Sequence, residues 1–192
     1  MGKIFCLMGK SASGKDTLYR RILAEMPELH TYVMYSTRPR RAGETDGVSY
    51  HFVTEEELLL KERAGKLIEK RTYHTVKGLW TYATVDDGQI DLGNGDYLVP
   101  ATLESYRKLK EYFGAESLVP LYIELDDGER LLRAVRREMQ EKDPNYREVC
   151  RRFLSDMEDF SEEELEKAGI HKRYQNRDLE RCVKELIADI RA

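Results

Sequence analysis

Ile4-Phe5-Cys6-Leu7-Met8-Gly9-Lys10-Ser11-Ala12-Ser13-Gly14-Lys15-Asp16-Thr17 is the stretch whose reading decides the fold. Its opening apolar run has the length of a buried strand, and Leu18-Tyr19-Arg20-Arg21-Ile22-Leu23 behind it has helical spacing. Between them stands a G-x-x-x-x-G-K string. Its glycines let the backbone curl until successive N–H groups point inward at phosphate oxygens. The helix that follows presents its positive N-terminal end to the same anion, and Lys15 reaches the outer phosphates. The spacing therefore predicts a nucleotide-phosphate loop made of Gly9, Lys10, Ser11, Ala12, Ser13, Gly14, Lys15, Asp16 and Thr17. One position departs from the usual string, which places a Mg²⁺-holding hydroxyl after the lysine. Asp16 stands there and Thr17 comes one residue late. Two readings of Asp16 stand: a carboxylate that takes the Mg²⁺ directly or through water, or an acid that favours the first helical turn.

Composition bounds what surrounds this loop. A chain of 192 residues, 41% apolar, supports one domain with room for a small subdomain. The net charge of −4 argues against a nucleic-acid partner bound by phosphate neutralisation. No apolar run approaches the roughly 20 residues that span a bilayer, so no membrane partner is expected. The N-terminus enters a strand directly, without a signal-peptide pattern. Cys6, Cys150 and Cys182 have no paired spacing, which fits a reducing cytoplasm better than a disulfide framework or a zinc site.

Strands and helices alternate along the chain, with no repeat. Thr31 to Tyr35 reads as a second strand, Ser36 to Ser49 as a polar loop, and Tyr50 to Val53 as a short strand. Thr54 opens a helix with Glu57 at capping-box spacing. Leu67 to Tyr73 and Leu79 to Val85 read as paired strands around a turn at Lys77-Gly78. Tyr97-Leu98-Val99 is a core strand, followed by a helix from Thr102 to Phe113. Leu118 to Leu125 is a strand whose Pro120 places it near a start or at a sheet edge. Gly128 to Lys142, Tyr146 to Phe160 and Asp178 to Ala192 read as helices. This alternation predicts an α/β fold, a mostly parallel central sheet covered on both faces, with a small β-rich lobe inserted between positions 50 and 85.

A second constellation is Ser36-Thr37-Arg38-Pro39-Arg40-Arg41-Ala42-Gly43-Glu44, then Asp46-Gly47-Val48-Ser49-Tyr50-His51-Phe52-Val53. Arg38 and Arg41, in a loop stiffened by Pro39, present planar donor forks suited to a phosphate, and a nearby tyrosine hydroxyl completes such a pocket. Here the chain resembles the guanylate kinase family. Thr37, Arg38, Arg41, Gly43 and Glu44 fit its T-R-x-x-R-x-G-E loop, and Gly47, Tyr50, Phe52 and Val53 fit the strand beyond it. Gly65 to Glu69 is similar to the family's G-x-F-I/L-E, and Tyr82-Ala83-Thr84 stands where Y-G-T/S is expected. Gln175 to Glu180 is similar to the adenine-side V-N-D-D-L-E segment, which brings in Asn176. The likeness is dense over residues 1–85 and looser beyond.

The resemblance implies a three-layer P-loop NTPase. Its core is 1–35, 86–126 and 161–192, its monophosphate-binding lobe 36–85, and its helical lid 127–160. It implies phosphoryl transfer from ATP and Mg²⁺ to GMP or dGMP, in a cytoplasmic monomer or homodimer whose partners are small-molecule substrates. Arg38, Arg41, Tyr50 and Tyr82 would hold the monophosphate. Glu69 would accept from the guanine N1–H and N2–H₂ edge, with Thr84 bonding the base. Lys15, Arg38, Arg137 and Arg152 would be catalytic, with Arg133 among the lid arginines that offset charge on the transferring group.

Four departures from the family pattern mark this chain. Asp16 replaces Ser/Thr. Met34 stands where a phosphate-binding serine is common. The segment from Glu69 to Tyr82 is longer. Tyr97-Leu98-Val99-Pro100-Ala101-Thr102 lacks the acids of the family's D-x-D stretch. Two alternatives follow: a related kinase with another phosphorylated acceptor such as ribose 1,5-bisphosphate, and a non-catalytic module that grips a phosphopeptide.

Overall fold

Strand β1 (Ile4–Gly9) is buried along its whole length, and its side chains alternate between two cores, as the period of a strand requires. The computed structural model describes residues 2–41, 43–75 and 78–192. After β1 come α1 (Lys15–Glu25), β2 (Tyr35–Ser36), β3 (His51–Phe52), α2 (Glu55–Arg63), β4 (Leu67–Thr75), β5 (Gly78–Val85), β6 (Tyr97–Pro100) and α3 (Leu103–Phe113). The chain continues through β7 (Leu118–Glu124), α4 (Asp127–Glu138), α5 (Tyr146–Asp159), α6 (Glu162–Lys167), β8 (Arg173–Gln175) and α7 (Leu179–Ile190).

The central sheet has the order β6-β1-β7-β8, with every pairing parallel. Ile4, Cys6 and Met8 enter one core with Val99, Tyr122, Tyr106 and Leu109 of α3, and Leu165 of α6. Phe5 and Leu7 enter the other with Leu18 and Ile22 of α1 and Val183 and Leu186 of α7. The result is the three-layer α/β arrangement expected from the alternation. Among the described residues no helix is long and apolar enough to cross a membrane.

The inserted lobe is a second sheet, ordered β3-β2-β5-β4, parallel between β2 and β3 and antiparallel elsewhere. Its small core is Tyr35, Leu58, Ala83 and Val85. Helix α2 carries the capping box read from the spacing: Thr54 Oγ1 accepts from Glu57 N, and Glu57 accepts from Thr54 N.

Several expectations change. The strand read from Thr31 to Tyr35 shrinks to Tyr35–Ser36, because among the described residues the backbone before it meets a strand only through the His51 N–H bond to the Met34 carbonyl and a bridge from His30 to Tyr97. Pro120 is the third residue of β7, near its start as one of the two expectations had it, while the edge alternative fails because β7 is an interior strand. It is tolerated because β8 pairs only with Tyr122–Glu124, which leaves β7 open on that side at Pro120. The sequence reading missed α6 and β8. A six-residue, charge-rich helix and a three-residue strand with one buried side chain carry too little periodicity to show. Ala42, and Lys77 of the expected turn, lie outside the described residues.

Candidate active site

The phosphate loop leaves β1 at the carboxyl end of the sheet, where α/β folds bind ligands. Gly9 closes the strand against β7: a Cβ there would lie 2.7 Å from the Ile123 carbonyl oxygen. Gly14 caps α1 with φ +89°, and a Cβ there would fall 2.2 Å from Asn176 Nδ2. Ala12 also takes a left-handed φ of 62°, which for a residue with a Cβ is a strained turn of the kind found at ligand cradles. Asn176 is buried and donates from Nδ2 to the Ser13 carbonyl at 2.7 Å, so its amide shapes the loop from beneath. Ser13 Oγ is buried with no hydrogen-bond partner. Lys15 follows at the first position of α1, with Nζ 3.8 Å from Asp16 Oδ1. The Asp16 side chain is 83% exposed, and Thr17 is exposed beside it.

Helices α4 and α5 reach the same loop through residues the spacing did not single out. The Arg130 guanidinium, almost wholly buried, donates to the Ser11 carbonyl at 3.0 Å. It also pairs with Asp127 at 2.8 Å and Asp156 at 3.5 Å. Asp156 Oδ2 in turn accepts from the Ser11 N–H at 2.7 Å, a backbone donor of the phosphate loop. Lys10 Nζ lies 3.4 Å from Asp127. Burial pushes the Asp127 carboxyl up, but the bonds from Arg130 and Lys10 outweigh it and hold the group below its ordinary value. Arg133 Nη2 comes within 3.5 Å of the Asn176 carbonyl. Arg137 is exposed, and Arg152 is exposed and bound to Glu148 at 2.8 Å, so neither is brought to the loop. No cluster of three or more metal-ligating side chains occurs among the described residues.

The lobe gathers the second set. Thr37 is stitched to β5 by two bonds with Thr81, which aims the following arginine inward. Arg38 is buried and forks onto Glu44 at 2.7 and 2.5 Å, with its guanidinium 4.9 Å from the Tyr50 ring. Its Nε is buried without a partner. Tyr50 and Tyr82 stack edge-on at 5.5 Å beside it. Arg41 is exposed, its N–H on Glu44 and its guanidinium 5.9 Å from the Trp80 ring. Donation from Arg38 and the Arg41 N–H holds the Glu44 carboxyl at about 2.

A bulge between Leu67 and Glu69 lets the neighbours Ile68 and Glu69 both turn inward. Glu69 is 4% exposed and opposite Thr84, whose hydroxyl donates to Oε1 at 3.0 Å. Tyr32 reaches the same hydroxyl at 3.2 Å. Arg71, two residues further along the strand, donates from Nε to Glu69 Oε2 at 3.0 Å. The sequence reading did not single out Arg71. Its signal was present as the i, i+2 spacing that puts two strand residues on one face.

A parallel sheet that ends in a phosphate loop, with helices on both faces and a small lobe carrying buried arginine and glutamate, defines a P-loop kinase fold. The guanylate kinase family profile matches residues 1–86. A guanylate kinase of Salinibacter ruber is 31% identical over 193 residues, covering 98% of this chain and 95% of its own. One of Bifidobacterium longum is 39% identical over 84 residues, 44% of this chain and 41% of that one. The crystal structure of a guanylate kinase from Anaplasma phagocytophilum shares the fold at TM-score 0.64 and 21% identity, over 99% of this chain and 85% of that one. The chain belongs to the guanylate kinase family.

Proposed function

We propose that this protein transfers the terminal phosphoryl group of ATP to GMP or dGMP, releasing ADP and the corresponding guanine nucleoside diphosphate. The observation that carries the reading is the buried Glu69, held by Thr84 in the lobe that also buries Arg38. Glu69 is met by Thr84 and Arg71, and the acceptor site left on it suits the N1–H donor that guanine presents and adenine does not. The phosphate loop and Lys15 hold the nucleoside triphosphate. Arg38, Arg41, Tyr50 and Tyr82 hold the acceptor phosphate, for which Arg38 must exchange its bonds with Glu44. Mg²⁺ bound with ATP would neutralise phosphate charge, and Asp16 is the carboxylate that would help hold it. The protein's work is alignment of two anions and exclusion of water by residues 127–160 acting as a lid over the core (1–35, 86–126, 161–192) and the lobe (36–85). Three free cysteines, two of them buried, suit a reducing cytoplasm.

The test is ADP release from ATP and Mg²⁺ with GMP, dGMP, AMP, UMP, CMP and ribose 1,5-bisphosphate offered separately. Turnover is expected with the guanine nucleotides and is expected to be lost in Lys15→Ala and Glu69→Ala. Turnover with ribose 1,5-bisphosphate and none with GMP would overturn the reading.

A further inference from the structure

Arg71 occupies ground that the phosphoryl-transfer reading leaves unexplained. Its side chain is 11% exposed and Glu69's 1%, so the two form a buried ion pair inside the lobe. Nε and Nη2 point at the two carboxylate oxygens, at 3.0 and 3.3 Å. Nη1 donates to Thr102 Oγ1 at 3.1 Å, from a residue 31 positions away. Nη2 also faces Met34 Sδ at 3.9 Å. Met34 and the Ala101-Thr102 stretch are two of the places where this chain departs from its family's pattern. The guanidinium therefore sits between a lost hydroxyl and a lost carboxylate.

Hydrogen-bond capacity decides what the pair is suited to read. A guanidinium has five N–H donors and a carboxylate about four lone-pair sites. Arg71 spends one donor on each Glu69 oxygen and one on Thr102. A second N–H remains on Nη1, and the second on Nη2 meets only a thioether, a weak acceptor. Glu69 Oε1 accepts from Thr84 and Arg71, while Oε2 accepts from Arg71 alone. One carboxylate site and the outer donors of the guanidinium thus stand side by side on two buried side chains. That arrangement matches a lactam edge, a carbonyl oxygen beside an N–H, and arginine is the side chain best matched to the guanine O6 acceptor. Adenine reverses both positions, placing an amine against the guanidinium and a bare ring nitrogen against the carboxylate.

We propose that Arg71 is a specificity-determining residue that donates to the C6 oxygen of a 6-oxopurine monophosphate while Glu69 accepts from N1–H. This rests on the nucleotide-kinase reading above and extends it. The lactam edge is common to guanine and hypoxanthine, so the pocket takes IMP as well as GMP and excludes AMP.

The experiment measures kcat/KM for GMP, IMP and 6-thioguanosine 5′-monophosphate in the wild type, Arg71→Met and Arg71→Lys. 6-Thioguanine keeps N1–H and the C2 amine and carries sulfur, a weak acceptor, at C6. Arg71→Met is expected to lower kcat/KM for GMP and IMP by about 10- to 100-fold, chiefly through KM, the range one lost base contact spans. The 6-thioguanosine monophosphate reaction is expected to fall far less, because its weak C6 acceptor gains little from Arg71. Arg71→Lys keeps the charge and is expected to fold where Arg71→Met does not, with the same selective loss because its point charge lacks the fork. An equal fold-loss for 6-thioguanosine monophosphate would mean that Arg71 only props Glu69, and an unchanged GMP value would mean that it does not meet the base. Either result overturns the proposal. Absence of wild-type turnover with any purine monophosphate would instead overturn the kinase reading itself.

Discussion

Asp16 is the residue where the phosphate loop leaves its usual string, and its surroundings separate catalysis from stability. The side chain is 83% exposed and 3.8 Å from Lys15 Nζ, so it adds little to folding. Asp16→Ser is therefore expected to leave the thermal midpoint unchanged. If the carboxylate orients Mg²⁺ in place of the missing strand acid, kcat falls at least about tenfold, or ~1.4 kcal/mol of transition-state stabilisation. A variant as fast as the wild type in an ADP-release assay would leave only the helix-turn role. Asn176 shows the opposite case. The family likeness pointed to it as a nucleotide contact, and its buried amide also donates to the Ser13 carbonyl of the phosphate loop.

Between elements, the contacts that matter join α4 and α5 to the phosphate loop. Arg130 bridges Asp127, Asp156 and the Ser11 carbonyl, so removing it leaves two carboxylates and a carbonyl without their common donor. Breaking a fully buried pair costs about 3–5 kcal/mol, and water reaching the 38%-exposed Asp127 reduces this. Arg130→Met is expected to cost about 2–3 kcal/mol in urea denaturation, with part recovered when Asp156→Leu is added. The loop before β3 has a pH signature. Glu44 has its pKa lowered from 4.5 to about 2, first by the Arg38 bond. A carboxyl whose folded value lies below its unfolded one stabilises fully above the unfolded value and loses that contribution as pH falls through the folded one. The melting temperature is therefore expected to fall from pH 4.5 toward 2, with a shallower fall in Glu44→Gln over the same window.

At the scale of the whole molecule, two sheets carry the two proposed anion sites, and ligands that bind only the folded chain should stabilise it by mass action. ATP at about 100 times its Kd adds about 2.7 kcal/mol, readable as a rise in melting temperature. Lys15→Ala is expected to abolish most of the rise with ATP and keep the rise with GMP; loss of both would mean that the sites are not separate. The phosphate loop and the Thr54 cap were legible in the chain because each is set by neighbours within a turn, whereas Glu44 and Glu69 came from the likeness to the family. Gly14 needs a left-handed φ and Thr54 needs Glu57, both at fixed short spacing. That β7 is interior was not legible, because β8 beside it has no periodicity to announce it. Arg130 and Arg71 looked like surface charges on a helix and a strand. Only tertiary packing put Arg130 against Ser11, 119 positions away, and Arg71 against Met34 and Thr102. Local backbone geometry is a property of adjacent residues and can be read from them. The burial that turns an arginine from a solvated charge into a recognition group is a property of the closed fold alone.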